Sequence, residues 1–165
     1  MPPDTPPDMP ADMPPDMPLG TSGRPTEDAL RLDLDALAAF LGGVFPPETR
    51  PAYGTLVALA PGHARLRLDP TPAMVRPGNI VSGPTLMGLA DFAAYAIVLG
   101  HVGPVAMAVT TSLHATFLRA CRLAPVVADA RLLKLGRTLA TVDVRLWQGR
   151  ETRPVAHATV GYALP

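Results

Sequence analysis

Between Pro84 and Gly100 the sequence reads PTLMGLADFAAYAIVLG, an apolar stretch of helical character whose sole side chain charged at neutral pH is Asp91. A helix that is apolar on all sides must be enclosed by other elements or by lipid. Its densest part, Leu86 to Leu99, is 14 residues long and broken by Asp91, short of the roughly 20 residues that cross a bilayer. The stretch therefore reads as the buried core helix of a domain. Asp91 raises a separate question, because a carboxylate among apolar neighbours carries a desolvation cost unless it is exposed, paired or used.

The flanking patterns supply a wrapper. Tyr53 to Ala60 and His63 to Asp69 are two alternating runs joined by Pro61-Gly62, a hairpin signature. After the helix come Val105 to Arg119, Val126 to Leu135, Thr138 to Trp147 and Pro154 to Leu164, separated by breaks short enough for antiparallel neighbours. In the third run Leu139, Thr141, Asp143 and Arg145 fall opposite Ala140, Val142, Val144 and Leu146, the period of a half-buried strand. An antiparallel meander of these runs is predicted. Upstream, Leu30, Leu34, Leu37 and Leu41 have helical spacing, with Thr26 as a candidate cap and Gly42-Gly43 and Pro46-Pro47 as stops. The segment from Thr71 to Pro84 reads as a turn-rich link. The class is α+β, a sheet curved around one apolar helix.

With 165 residues the chain is of single-domain length. Its opening, MPPDTPPDMPADMPPDMP, repeats Pro, Asp and Met, a composition that favours an extended polyproline-like arm over a packed element. We therefore divide the chain into an arm, residues 1–25, and a folded domain, residues 26–165. The arm is either a solubilising tail or a docking segment. Fourteen basic and 14 acidic residues cancel, so no charge footprint favours nucleic acid or an anionic membrane. One cysteine, Cys121, and no zinc-type Cys/His spacing suit a reducing compartment without a structural metal. No secretory pattern opens the chain, so the cytoplasm is the expected location. Phosphate-loop and dinucleotide patterns are absent.

From about Tyr53 to Tyr162 the chain resembles the PaaI-type acyl-coenzyme A thioesterases of the hotdog fold. The residues that carry the resemblance are SGPTLMGLADFA at the start of the helix, VTTSLHATFLRA on the next strand, DARLLKLGRTLATVDVRLW on the following two and PVAHATVGYAL on the last. That family opens its central helix with His-Gly-Gly and carries an acidic residue nine positions after the His. Here Ser82-Gly83-Pro84 stands in that place and Asp91 at the acidic position, so the ring of the family His is missing.

The resemblance implies hydrolysis of an acyl-coenzyme A thioester, with Asp91 as general base or as nucleophile and the Gly83 backbone N–H as the oxyanion contact. It also implies that Thr110 and Asn79 orient water or substrate, that Ser82 borders the substrate, and that Arg119 and Arg137 at strand ends hold phosphates. No cofactor and no metal are implied. Each residue has a plainer reading: Ser82 as a helix cap, Asn79 as a turn residue, Thr110 and His114 as ordinary strand residues, Arg119, Arg122, Lys134 and Arg137 as a solvated rim.

Eight residues of helix separate Gly83 from Asp91, about 12 Å at the α-helical rise, too far for both to reach one thioester carbon. The site therefore calls for two subunits, which agrees with the family's dimer-interface sites and implies a homodimer or a dimer of dimers. Two rival readings remain, a hotdog dehydratase or hydratase and a non-catalytic acyl-coenzyme A-binding protein. The first lacks the His it would need; the second draws support from Ser82.

Overall fold

A computed structural model describes residues 25–165. The arm expected over residues 1–25 lies outside the described residues except for Pro25. Eight strands and two α-helices follow one another as α1 (Leu34–Val44), β1 (Thr55–Ala60), β2 (His63–Leu68), β3 (Val75–Arg76), β4 (Ile80–Val81), α2 (Gly83–Val102), β5 (Val109–Phe117), β6 (Val126–Leu135), β7 (Leu139–Trp147) and β8 (Pro154–Ala163). Six strands form one antiparallel sheet in the order β1-β2-β6-β7-β8-β5, while β3 and β4 pair separately.

The sheet wraps α2, as the hotdog resemblance implies. From Ala93 to Val102 every residue of α2 is buried, and Leu89, Ile97 and Leu99 are wholly so. Each such side chain contributes roughly 1.5–3 kcal/mol by leaving water. The helix is 20 residues long and apolar enough to cross a bilayer by length and composition, yet 67% of its apolar window is buried within the domain. The facing strands supply the wrapper by alternation: Ala64, Leu66 and Leu68 on β2, Val126, Ala128 and Ala130 on β6, Ala140, Val142, Val144 and Leu146 on β7.

Both ends of α2 are specified locally. Ser82 is extended and caps the first turn, its Oγ accepting from the Thr85 N–H at 3.4 Å, and Pro84 sits where its missing donor is not needed. At the other end Gly103, with φ +96°, donates its N–H to the Leu99 carbonyl. His101 is fully buried; its Nδ1 bonds the Ile97 carbonyl and its Nε2 accepts from the Gly62 N–H at 3.0 Å, joining the helix end to the β1–β2 turn.

Three expectations need correction. The first helix begins at Leu34, capped by Asp33, whose Oδ1 accepts from the Ala36 N–H at 2.8 Å. Thr26 is no cap, because the residues before Asp33 are engaged elsewhere: Arg31 and Leu32 donate to the Gly100 carbonyl, and the Glu27 carboxylate accepts from the Leu135 N–H. Gly42-Gly43 do not end this helix, which continues to Val44 ahead of Pro46-Pro47. The strand after α2 is no part of a four-strand meander. β5 pairs with β8 at the sheet edge, and β6 pairs with β2. The link between them crosses the end of the sheet, held by Leu118 and Arg119 donating to the Val155 carbonyl and by the buried Cys121, whose carbonyl accepts from Val81.

The outer face of the sheet carries a charged cluster. Asp129, only 1% exposed, pairs with Arg65 at 2.7 Å, with His63, and through its other oxygen with Arg131 at 3.3 Å. Burial alone would raise the Asp129 pKa, but the His63 and Arg65 donors outweigh it and hold the carboxyl below its ordinary value. The Arg65 guanidinium lies 5.2 Å from the centroid of the Trp147 ring.

Candidate active site

Asp91 lies in the middle of α2, half-buried, where the helix meets the edge of the sheet. Two hydroxyls fix it. Thr110 of β5 and Tyr162 of β8 both donate to Oδ1, each at 2.7 Å, and the Tyr162 hydroxyl also lies 3.2 Å from the Asp91 carbonyl. Among the described residues no donor reaches Oδ2. Such a carboxylate is oriented by one oxygen and left open at the other, the arrangement required to receive a proton from water or to attack a carbonyl carbon.

The strands bring the hydroxyls together by register. Thr110 and Tyr162 are paired directly across β5 and β8. The sequence pattern alone places Thr110 with Ser112, His114 and Thr116 on one strand face, and here the structure differs. A bulge interrupts the register between Thr110 and Ser112, resetting the alternation. Thr110 consequently faces the helix together with Leu113 and Ala115, which pack on the core. Thr111 and Ser112 both crowd the opposite side of Gly161, where an added Cβ would lie 2.6 Å from Ser112 Oγ and 3.0 Å from Thr111 Oγ1. Gly161 is thus the residue that admits the bulge.

Tyr162 is the residue that sequence reasoning missed. It is buried, and burial first and the Asp91 charge second push its phenol well above the ordinary value. It therefore stays a donor. Tyr95, one helical turn from Asp91, donates to the Ala106 carbonyl at 3.0 Å and so fixes the loop leading into β5. These groups border a cavity of about 390 Å³ whose wall combines Asp91, Thr110 and Tyr162 with Phe45, Tyr53 and Phe92.

The remaining candidates lie apart from Asp91 within one chain, and none of them lines this cavity. Gly83 is the first residue of α2; no acceptor for its N–H is found among the described residues. The Phe117 ring covers Gly83, so that an added Cβ would lie 3.2 Å from Phe117 Cζ. Ser82 caps the helix, with its Oγ 2.8 Å from the Thr85 hydroxyl. Asn79 is exposed and left-handed, φ 55°, after Gly78 at φ 93° in the β3–β4 turn, the conformation that an Asn in a tight turn supplies. Arg119 donates to the Pro154 carbonyl at 2.7 Å, and Arg137 is exposed in the β6–β7 turn. His114 is exposed on β5.

Known proteins bear on this arrangement. A family profile described as "Thioesterase superfamily" matches residues 78–155, which include the start of α2, Asp91 and Thr110. A crystal structure from Silicibacter sp. TM1040, described as a "putative thioesterase", is 41% identical, with 84% of this chain and 96% of that chain covered and a TM-score of 0.76. The PaaI protein of the Escherichia coli phenylacetic acid degradation operon shares the fold at 19% identity, covering 77% of this chain and 94% of its own, with a TM-score of 0.64. So does a "hypothetical thioesterase protein with coenzyme A" from Streptococcus pneumoniae, at 21% identity, 67% and 84% coverage and a TM-score of 0.61. No curated protein matches the sequence at a significant level. With a relative this similar over nearly all of that relative's length, and with the wrapped helix and strand order in place, the chain belongs to the thioesterase superfamily and has its hotdog fold.

Proposed function

We propose that the protein hydrolyses an acyl-coenzyme A thioester to the free acid and coenzyme A in a site completed by two copies of the chain. The observation that carries this reading is the Asp91 carboxylate, oriented through Oδ1 by two hydroxyls and open at Oδ2. In this scheme Oδ2 takes a proton from a water molecule, the water oxygen bonds to the thioester carbon, and the carbonyl oxygen becomes an oxyanion. Collapse of that intermediate breaks the carbon–sulfur bond, and the departing thiolate takes up a proton. The oxyanion contact is the Gly83 N–H, at a helix N-terminus whose partial positive charge suits it.

Two copies are required because Gly83 and Asp91 of one chain are about 12 Å apart along the helix. The surface for self-association is β5, an edge strand of nine residues whose end residues Val109 and Phe117 are 52% and 51% exposed and which follows Met107, 69% exposed. An unpaired edge of this kind favours strand pairing with another copy. The coenzyme A of the Streptococcus pneumoniae protein supports the choice of carrier; Arg119 and Arg137 are assigned to its phosphates, Thr110 and Asn79 to positioning, and Ser82 to the substrate border. The reading includes a cytoplasmic location.

The test is an assay of the full chain against aryl, short-chain and medium-chain acyl-coenzyme A esters with detection of free thiol, beside light scattering for size. Thiol release with a particle of two or more chains is expected. A monomer with full activity would exclude the shared site, and ester binding without turnover would favour a binding protein. Single turnover in isotopically labelled water with hydroxylamine trapping separates the two roles of Asp91: label in the Asp91 carboxylate or a trapped acyl adduct at Asp91 marks an anhydride intermediate, and label confined to the product acid with no trapped adduct marks general-base catalysis.

A further inference from the structure

A second cavity, about 470 Å³, lies on the far side of the aromatic residues that border the Asp91 cavity. Among the described residues Phe45, Tyr53 and Phe92 line both cavities, and no other residue does. The three rings contact one another: Phe45 meets Tyr53 edge-on with centroids 5.1 Å apart, Phe45 meets Phe92 edge-on at 5.3 Å, and Tyr53 stacks on Phe92 at 4.8 Å with 15° between planes. Mutual contacts of this kind hold each ring in place. Beyond them the far cavity is walled by Leu41, Leu56 and Leu68 and by Gly42, which has nothing within 4 Å of the position a Cβ would take. Its charged rim is occupied, with Arg67 paired to Asp69 at 2.9 Å and the Arg50 Nε donating to the Phe45 carbonyl.

From this geometry we infer that the Phe45–Tyr53–Phe92 cluster is a partition that limits acyl length, confining the acyl group to the near cavity and separating it from a mainly apolar hollow, open at its charged rim, that would accept a longer chain. The inference rests on the thioesterase reading for its substrate and deepens it: the favoured acyl group is compact, and Phe92, adjacent to Asp91 in sequence, determines the limit. Removing the Phe92 ring joins the two chambers next to the carboxylate. Each methylene then newly buried raises kcat/KM by about fourfold.

The experiment measures kcat/KM for straight-chain esters from acetyl- to palmitoyl-coenzyme A in the wild-type chain, Phe92→Ala and Tyr53→Ala, the second opening the partition from its other side should the first not fold. Isothermal titration of the same esters into Asp91→Asn and Asp91→Asn/Phe92→Ala reads chain-length dependence as Kd, independent of turnover. Wild type should favour the shorter esters, and opening the partition should raise the long-to-short ratio on the order of tenfold or more. Gly42→Leu, which narrows the far chamber, should leave wild-type activity on short esters unchanged and reduce the gain in the Phe92→Ala background. An unchanged ratio in both opened variants, a wild type already favouring the longest esters, or loss of short-ester activity in Gly42→Leu would each overturn the inference. Absence of turnover with the expected Kd pattern would refute the hydrolase reading and leave the partition standing.

Discussion

Replacing Asp91 with Asn changes charge while keeping shape, and the contacts of Asp91 indicate what should survive. Thr110 and Tyr162 both donate to Oδ1, so the Asn carbonyl oxygen can accept both bonds. The new amide nitrogen then occupies the place of Oδ2, which has no partner among the described residues. The side chain therefore keeps its orientation. Two bonds to a charged acceptor become bonds to a neutral one, a loss offset by relief of desolvation, so stability should move by no more than about 1 kcal/mol. Proton abstraction, however, is lost, and kcat should fall by about 10² to 10⁴, equivalent to roughly 3–5 kcal/mol in the barrier. Thiol release under saturating ester, thermal melting and light scattering on the same preparation separate these effects. A spectrophotometric titration of tyrosine adds an internal check: without the Asp91 charge the Tyr162 phenol should ionise at lower pH, while burial still keeps it above the ordinary value. Near wild-type turnover in Asp91→Asn would refute the catalytic assignment.

Tyr162→Phe removes one of the two bonds that orient the carboxylate; kcat should drop on the order of tenfold with KM little changed, and an equal change in both would point to a packing role. Burial pushes the Cys121 thiol up to about 11, so an aromatic disulfide reagent should give no signal from the native chain and one thiol per chain in denaturant, Cys121 being the single cysteine. Because the Asp129 carboxyl is held below its unfolded value, its contribution is complete above about pH 4 and lost as pH falls through its folded pKa. Asp129→Asn should therefore cost roughly 1.5–3 kcal/mol near neutrality, and urea denaturation should show the difference from wild type shrinking in acid.

The parts of the fold that were legible in the sequence are those written in local periodicity. The β1–β2 hairpin, the central helix and the alternation of β7 follow from spacing, and of the two opposed sets on β7 the apolar one, Ala140, Val142, Val144 and Leu146, is buried. The position of β5 was not legible, because pairing with β8 across roughly 40 to 55 residues leaves no local trace. The bulge at Thr111 was equally hidden: it depends on Gly161 in another strand, and without it Thr110 would have turned away from Asp91. The start of α1 was misread because Thr26 and Asp33 are both acceptable caps, and tertiary demands on Glu27, Arg31 and Leu32 decide between them. Asp91 stood out as a lone charge. Tyr162 did not, although a tyrosine at an inward strand position needs a polar partner for its hydroxyl, and that need was the available signal.

The two hydroxyls that converge on Asp91 belong to strands of different standing. Tyr162 sits on β8, flanked by β7 and β5, whereas Thr110 sits on β5, which has a neighbour on one side only. In hydrogen-exchange terms the β8 amides next to β7 should open only with the whole domain, while in a single chain without a partner on this edge those of β5 should open by local fraying at much smaller free energy. The carboxylate therefore has one permanent tether and one conditional tether. Whatever protects the β5 amides from exchange also completes the orientation of Asp91, so exchange at this edge strand serves as a gauge of how often the site is assembled.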